Sequence, residues 1–344
     1  MNSPNLINRN NNFDFLRLLF ASLVIVSYSF PLTGHKEIFG VLTNEQISFG
    51  ELSVNCFFIM SGYLIFQSLE RSKSWTSYLW KRVLRLFPAL FVLLLFTVMI
   101  LPIFYQGNDI LDETSYWTYF PNGMSLYRIQ YDVAGIFETN PYPKAINGSL
   151  WSLSYEFTLY LFLLILFPIR RKKNSIKIIL TASFLISFLL LQLRPMFLGH
   201  FFQHIFLGTE LLYKLATFFL AGSLLSFFDL KKYNTLYVRI GLATGIVLSA
   251  IFGCYQLTSP FLLPILVLMF ATLDTSPINT VGKRFGDISY GVYIYGFLVQ
   301  QILMNYLDLN PVQLMAISLP ITFVLAYFSW HLVEERMLKY KNVI

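Results

Sequence analysis

Residues 79–103 read LWKRVLRLFPALFVLLLFTVMILPI. From Leu86 to Ile103 no charge interrupts the run. An α-helix rises about 1.5 Å per residue and needs roughly 20 mostly apolar residues to cross a hydrocarbon core of about 30 Å. This stretch is therefore a membrane-crossing helix with Lys81, Arg82 and Arg85 at one mouth. Similar apolar runs lie near 13–30, 52–69, 149–168, 175–193, 196–208, 211–228, 236–254, 258–273 and 288–333, the last being two helices split around Asp308 to Pro311. Of the 344 residues 56% are hydrophobic and 12% charged, against about 25% charged in a soluble domain, which excludes an ordinary soluble enzyme. The expected fold is all-α: one polytopic membrane domain over 1–344 with about ten transmembrane helices and no appended soluble domain.

Charge gives the sidedness. The 196–208 run is short and carries Gly199, His200 and His204, so it reads as an outside connection. With that assignment 20 of the 25 Lys and Arg residues fall on the cytoplasmic side and five outside, a strong positive-inside bias. Both termini are then cytoplasmic, and residues 104–148 form one long outside loop. The polar start MNSPNLINRNNN has no apolar region or cleavage site of a signal peptide. The net charge of +7 is spread over several short loops rather than gathered in an arm, so membrane topology explains it better than nucleic acid does. Cys56 and Cys254 sit in apolar runs and suggest packing, not a disulfide or zinc site. The long loop holds Asp109, Asp112, Glu113, Asp132 and Glu138 among many Tyr, Asn and Pro residues. That mixture suits a carbohydrate surface, and it equally suits an interfacial aromatic belt.

Ionisable groups inside membrane runs cost about 2.5–3.5 kcal/mol on insertion and point to function. Asp14 and Arg17, three apart, share a face of the first helix. Arg17 and Tyr28 are 11 residues apart, which returns them to nearly the same face about 16 Å along the axis. Glu156 lies within WSLSYEFTLYLFLLILF, about two turns from the outer surface, and should face the bundle interior. Its bland alternative is a structural partner for an arginine. Arg82 and Arg85, spaced i to i+3, can grip phosphate oxygens or simply anchor the helix at the cytoplasmic surface.

A resemblance runs over nearly the whole chain. FDFLRLLFASLVIVSYSFPLTG (13–34), NCFFIMSGYLIFQS (55–68), WKRVLRLFPAL (80–90), GIFETNPYPKAINGSLWSLSYEF (135–157), FFLAGSLL (218–225), DISYGVYIYGFLVQQ (287–301) and WHLVEERMLK (330–339) occur in order. Together they resemble the acyltransferase-3 family of integral-membrane O-acyltransferases, in particular stand-alone bacterial and phage members that modify surface polysaccharides. The resemblance implies transfer of an acetyl or short acyl group from cytoplasmic acyl-CoA, such as acetyl-CoA, to a glycan hydroxyl outside the bacterial inner membrane. It implies no metal. Arg17 matches the arginine of the family's arginine-to-histidine motif, Arg82 and Arg85 its Arg-x-x-Arg motif, and Ser61 to Tyr63 its Ser-Gly-aromatic element. Trp151, Tyr155 and Glu156 match the segment after its Gly-Ser-Leu-Trp. Acyl-CoA would then bind among Arg17, Arg82, Arg85 and Ser61, with Trp151 and Tyr155 toward the acceptor, and Glu156 and Tyr28 at the transfer site.

One position departs from the family pattern: Tyr28 stands where the family carries its histidine. A histidine near pKa 6.5 can take a hydroxyl proton, whereas a tyrosine near 10 is a poor base at neutral pH. It can still donate to an oxyanion. Three readings are open: an impaired member, Glu156 as the base, or another histidine standing in. His35 lies beyond the helix-ending Pro31 and Gly34, His200 and His204 lack an evident third metal ligand, and His331 is on the cytoplasmic side. A rival of another class, a transporter or non-catalytic envelope protein, would use the polar face of the first helix as a path. It predicts an internal repeat, and none is visible.

Overall fold

A computed structural model describes residues 11–343. The polar N-terminal stretch through residue 10, with Arg9 of the charge tally, lies outside the described residues. The chain runs α1 (Phe13–Leu32), α2 (Ile38–Leu42), α3 (Phe49–Arg71), α4 (Trp75–Ile100), α5 (Thr114–Met124), α6 (Trp151–Ile165), α7 (Lys173–Leu193), α8 (Gly199–Gln203), α9 (Thr209–Leu225), α10 (Leu236–Ile251), α11 (Tyr255–Ala271), α12 (Val281–Phe285), α13 (Ser289–Tyr306), α14 (Pro311–Ser329) and α15 (Glu335–Leu338). Among the described residues there is no strand, only two isolated bridges. The fold is an all-α polytopic membrane protein. Ten of these helices are long, and six stretches are long and apolar enough to cross a membrane by themselves.

The element boundaries follow local chemistry. Helix α4 begins at Trp75, four residues before the apolar run, because the Ser74 hydroxyl accepts from the Ser77 amide at 3.0 Å. Ser48 does the same for Glu51 at the start of α3 (3.0 Å). Asn310 and Gln313 form a capping box with Pro311 at the first turn of α14, which splits the last apolar stretch. Pro31 falls in the last turn of α1, and Gly34 follows at φ +75°. The 196–208 run yields only the five-residue α8, so it is a connection and not a crossing helix.

Close helix approach organises the interior. A side chain at Gly62 would strike the Phe219 carbonyl of α9, and one at Gly222 would strike the Ile59 carbonyl of α3, so the two backbones touch at reciprocal glycines. The Ser223 hydroxyl seals the seam by donating to the carbonyls of Gly62 (3.1 Å) and Phe219 (3.0 Å). Helix α13 is buried along most of its length and packs on α1 and α14. Its Gln300 donates to the Ile25 carbonyl (2.9 Å) and the Ser29 hydroxyl (2.7 Å) of α1. Helices α7 and α10 carry few buried residues and form the rim that a hydrocarbon surface would cover.

Hydrogen bonds sort the helix ends into two sets. At one end, Asn12 N donates to the Ala271 carbonyl (3.0 Å), Arg170 reaches the Ser72 carbonyl (3.3 Å), Asn234 the Met269 carbonyl (2.7 Å), and Trp80 the Tyr340 carbonyl (3.0 Å). These segments carry most of the Lys and Arg residues, so this is the basic end. The opposite end carries residues 104–148, an ordered cap rather than a trailing loop: Val133, Ile136, Phe137 and Ile146 are fully buried in it. Gln301 of α13 donates to the carbonyls of Tyr142 (2.9 Å) and Ala145 (2.6 Å), Asn140 donates to the Gln301 side chain (2.8 Å), and Asn147 donates to the Ile294 carbonyl (2.8 Å). Buried amides thus dock the cap on α13.

The α3–α9 seam has a direct test. Gly62→Leu forces the helices apart and is expected to cost about 1–3 kcal/mol, read as a lowered Tm of the detergent-solubilised protein. Gly241→Ala on α10, where an added methyl meets nothing within 4 Å, leaves Tm unchanged or raises it.

Candidate active site

Among the described residues, a larger and a smaller cavity bear on the candidate side chains. The larger, about 580 Å³, extends inward from the basic end and is lined by Arg17, Ser61, Arg82, Arg85, Glu156 and Asp287 among others. Arg71, Lys81 and Lys341 add charge to its wall. The smaller, about 280 Å³, sits toward the loop end and is lined by Tyr28, Trp151 and residues of α3 and α9. Val54 lines both, and the consecutive residues Trp151 and Ser152 of α6 line the smaller and the larger respectively. The cavities therefore abut across one helical layer.

The three arginines are not equivalent. Asp287, just before α13, accepts from Arg17 Nη1 at 2.9 Å and from Arg85 Nη2 at 2.6 Å through the same Oδ2, while the Ser289 hydroxyl donates to its Oδ1 at 2.6 Å. Burial pushes the Asp287 carboxyl up, but the guanidiniums of Arg85 and Arg17 outweigh it and hold the group at about 2. It ties α1, α4 and α13 together. Arg85 is further fixed with its guanidinium 5.8 Å from the Trp330 ring. Arg82 differs: among the described residues it forms no ion pair, and its buried Nε has no hydrogen-bond partner. Its Nη2 makes one long contact to Ser68 Oγ (3.4 Å), and the group stands 5.8 Å from the Tyr160 ring and 6.0 Å from that of Tyr78. Arg82 is the cavity cation whose buried Nε lacks a partner; Arg71, Lys81 and Lys341 on the same wall also form no ion pair among the described residues.

Glu156 has two unlike oxygens. Oε1 accepts from Ser61 Oγ at 2.9 Å and from the Tyr160 hydroxyl, one turn further along α6. Oε2 takes no hydrogen bond from the described residues. The carboxylate is thus aimed by α3 and by its own helix while one oxygen is left to a guest. Arg82 and Glu156 share this cavity and act on each other electrostatically, without a direct ion pair between them.

Tyr28 is elsewhere. Its hydroxyl makes a long contact to the Gly148 carbonyl (3.4 Å), its ring meets Phe297 edge-on at 5.0 Å, and it lines the smaller cavity, so Tyr28 and Glu156 do not share one chamber as the sequence suggested. The reason is depth: Tyr28 is near the loop end of α1, whereas Glu156 reaches Ser61 at mid-length of α3. Tyr155 lines neither cavity; its hydroxyl accepts from the Gly208 amide (3.0 Å) and pins the approach to α9. No histidine lines either cavity. His35 contacts the Thr33 carbonyl (2.8 Å), His204 the His200 carbonyl (2.6 Å), and His331 the Glu335 carboxylate (3.1 Å). Among the described residues no group of three His, Cys, Asp or Glu side chains is placed to hold a metal ion.

Sequence reading missed Asp287, Tyr160 and Glu334. Tyr160 carried a signal, since Glu156 and Tyr160 are i and i+4 on one face. Asp287 carried only a weak one, an acid opening an apolar run, because its partners are 202 and 270 residues away. Glu334 is 2% exposed, bonded to the Ser329 hydroxyl at 3.2 Å with Oε2 unpartnered, in a single π turn over Trp330–Glu334. Asp287→Ala leaves two cations facing each other and should cost about 3 kcal/mol or more, read as a lowered Tm. Adding Arg85→Met to that variant should recover part of the loss, a coupling that independent sites would not show.

Comparison with known proteins agrees with this architecture. An acyltransferase domain model of the acyltransferase-3 type matches residues 10–331. The chain is 31% identical to the O-acetyl transferase of Shigella phage Sf6 over 96% of its own length and 97% of that protein's. It is 29% identical to nodulation protein 10 of Rhizobium leguminosarum bv. viciae, over 96% and 94% of the two chains. No solved structure matches.

Proposed function

The chain belongs to the acyltransferase-3 family and is an acyltransferase, and from that premise we propose that it moves an acetyl or short acyl group from acyl-CoA to a hydroxyl of a cell-envelope polysaccharide, or of its lipid-linked precursor, at the bacterial inner membrane. The observation that carries this reading is the pairing, in one cavity at the basic end, of an uncommitted guanidinium with a carboxylate that has one free oxygen: Arg82 and Glu156.

Coenzyme A is a polyanion found in the cytoplasm, and by the charge bias the basic end is cytoplasmic. Arg82, supported at the cavity wall by Arg71, Lys81 and Lys341, supplies the phosphate contact. Arg85 and Arg17 share the Asp287 carboxylate, and Asp14 stands 3.6 Å from Arg17 as a second acid, so two carboxylates face these two guanidiniums and their role is to hold the wall in shape. With phosphates at the basic end, the thioester points toward Ser61 and Glu156. The acceptor oxygen attacks the thioester carbonyl, its proton passes to Glu156 Oε2, the carbon–sulfur bond breaks, and the thiolate leaves as the thiol by taking that proton. A base at Glu156 makes the tyrosine at position 28 compatible with turnover.

In the full-length protein reconstituted in nanodiscs, Arg82→Ala is expected to weaken acetyl-CoA binding about tenfold or more, near 1.5–3 kcal/mol for a charged hydrogen bond. In cells supplying a candidate surface glycan, Glu156→Gln should lower its O-acetyl content, read by NMR, about 100-fold with acetyl-CoA binding retained. A gain of tenfold or more from Tyr28→His would instead mean that the native protein is impaired at position 28 and that Glu156 is not the base.

A further inference from the structure

The smaller cavity is left without a task by the donor chemistry, yet it is costly to build. Six of its lining residues are Ser48, Glu51, Asn55, Trp151, Lys214 and Tyr28. The Lys214 ammonium sits 2.5 Å from Glu51 Oε1, joining α9 to α3. Asn55 is 1% exposed and its Nδ2 has no hydrogen-bond partner. A staple between two helices needs neither a void beside it nor an unsatisfied amide, and polar groups at such a depth are expensive unless something pairs with them.

The lining has the chemistry of a sugar site. Two aromatic rings, Tyr28 and Trp151, offer flat apolar surfaces to the C–H face of a pyranose. A carboxylate, an ammonium and a primary amide offer both acceptors and donors to its hydroxyl edge. At about 280 Å³ the space is at the lower bound of small-molecule pockets and suits one ring rather than a nucleotide. Its place is equally specific. It lies at the loop end, away from the basic end, and touches the Glu156 cavity through Val54 and the Trp151–Ser152 step of α6.

We propose that this cavity is the acceptor subsite, holding a single hexopyranose unit with Asn55, Glu51 and Lys214 reading its hydroxyls and Trp151 against its face. The inference rests on the acyltransfer reading above, to which it adds the location and the reading groups of the acceptor. Binding there seats the ring against the wall, formed by Val54 and the Trp151–Ser152 step, that this cavity shares with the Glu156 cavity. The Lys214–Glu51 pair fixes which hydroxyl is presented, since Glu51 can keep its ion pair and accept from one sugar hydroxyl while Lys214 donates to a neighbouring sugar oxygen.

The test uses the full-length protein in nanodiscs with methyl α-D-glucopyranoside, methyl α-D-galactopyranoside and methyl α-D-mannopyranoside as probes, read by saturation-transfer-difference NMR, with radiolabelled acetyl-CoA binding measured on the same samples. At least one glycoside should give a signal that falls fivefold or more in Asn55→Leu and in Lys214→Met, while both variants retain acetyl-CoA binding. Arg82→Ala should show the reverse, keeping the glycoside and losing acetyl-CoA. Retained acetyl-CoA binding certifies that a variant is folded; if Asn55→Leu fails that check, Lys214→Met decides. Silence from all three glycosides, or a signal that neither variant reduces, overturns the subsite while leaving the donor reading intact. Failure of the native protein to bind acetyl-CoA overturns the reading beneath it.

Discussion

One carboxylate holds the functional end of this bundle together. Asp287 takes a guanidinium from α1 and another from α4 on a single oxygen, and it stands at the start of α13, the most buried of the long helices. Three elements far apart in the chain are thereby closed around the larger cavity. The same interaction divides labour among the arginines. By engaging Arg17 and Arg85, it leaves Arg82, with an unsatisfied Nε, facing the cavity that also holds Glu156. A wall rich in cations but internally neutralised would bind phosphate weakly; a wall of uncompensated cations would not pack. The bridge sets Arg82 on a rigid support, which on the proposed reading is what orientation of a polyanionic donor requires.

The two cavities give a division of space. The larger reaches in from the basic end and the smaller lies at the loop end, with one layer around Val54 between them. On the proposed reading, a donor entering from one side and an acceptor entering from the other approach each other at this layer. Reciprocal glycines at the α3–α9 seam make this arrangement possible, because α3 carries Ser61 and Asn55 while α9 carries Lys214, and their close approach fixes both chambers at once. The cap over residues 104–148, docked on α13 by Gln301, Asn140 and Asn147, holds the start of α6 and hence the depth of Trp151 and Glu156.

Much of the fold was legible in the sequence because membrane crossing is a one-dimensional constraint: run length, charge and breaker residues such as Asn310–Pro311 mark each helix. The short run 196–208 was legible as a connection because Gly199, His200 and His204 interrupt it, and it carries only five helical residues. The site was legible by residue and not by arrangement. Arg17, Ser61, Arg82, Arg85 and Glu156 line one cavity, yet Tyr28 lies in the other and Tyr155 in neither. Periodicity gives the face of a helix and not the depth of its neighbour. Asp287 escaped notice because its meaning is its two distant partners, and Asn55, Glu51 and Lys214 because an amide or an ion pair inside an apolar run is interpretable only once the void beside it is seen.

The most direct test of the account is a cryo-EM structure of the full-length protein in nanodiscs with coenzyme A. Phosphate density within hydrogen-bond reach of the Arg82 guanidinium, with the Arg17–Asp287–Arg85 bridge intact and the thiol directed at Glu156, is the predicted result. Coenzyme A seated away from Arg82, or an Asp287 bridge opened so that Arg85 and Arg17 take the phosphates, would contradict it.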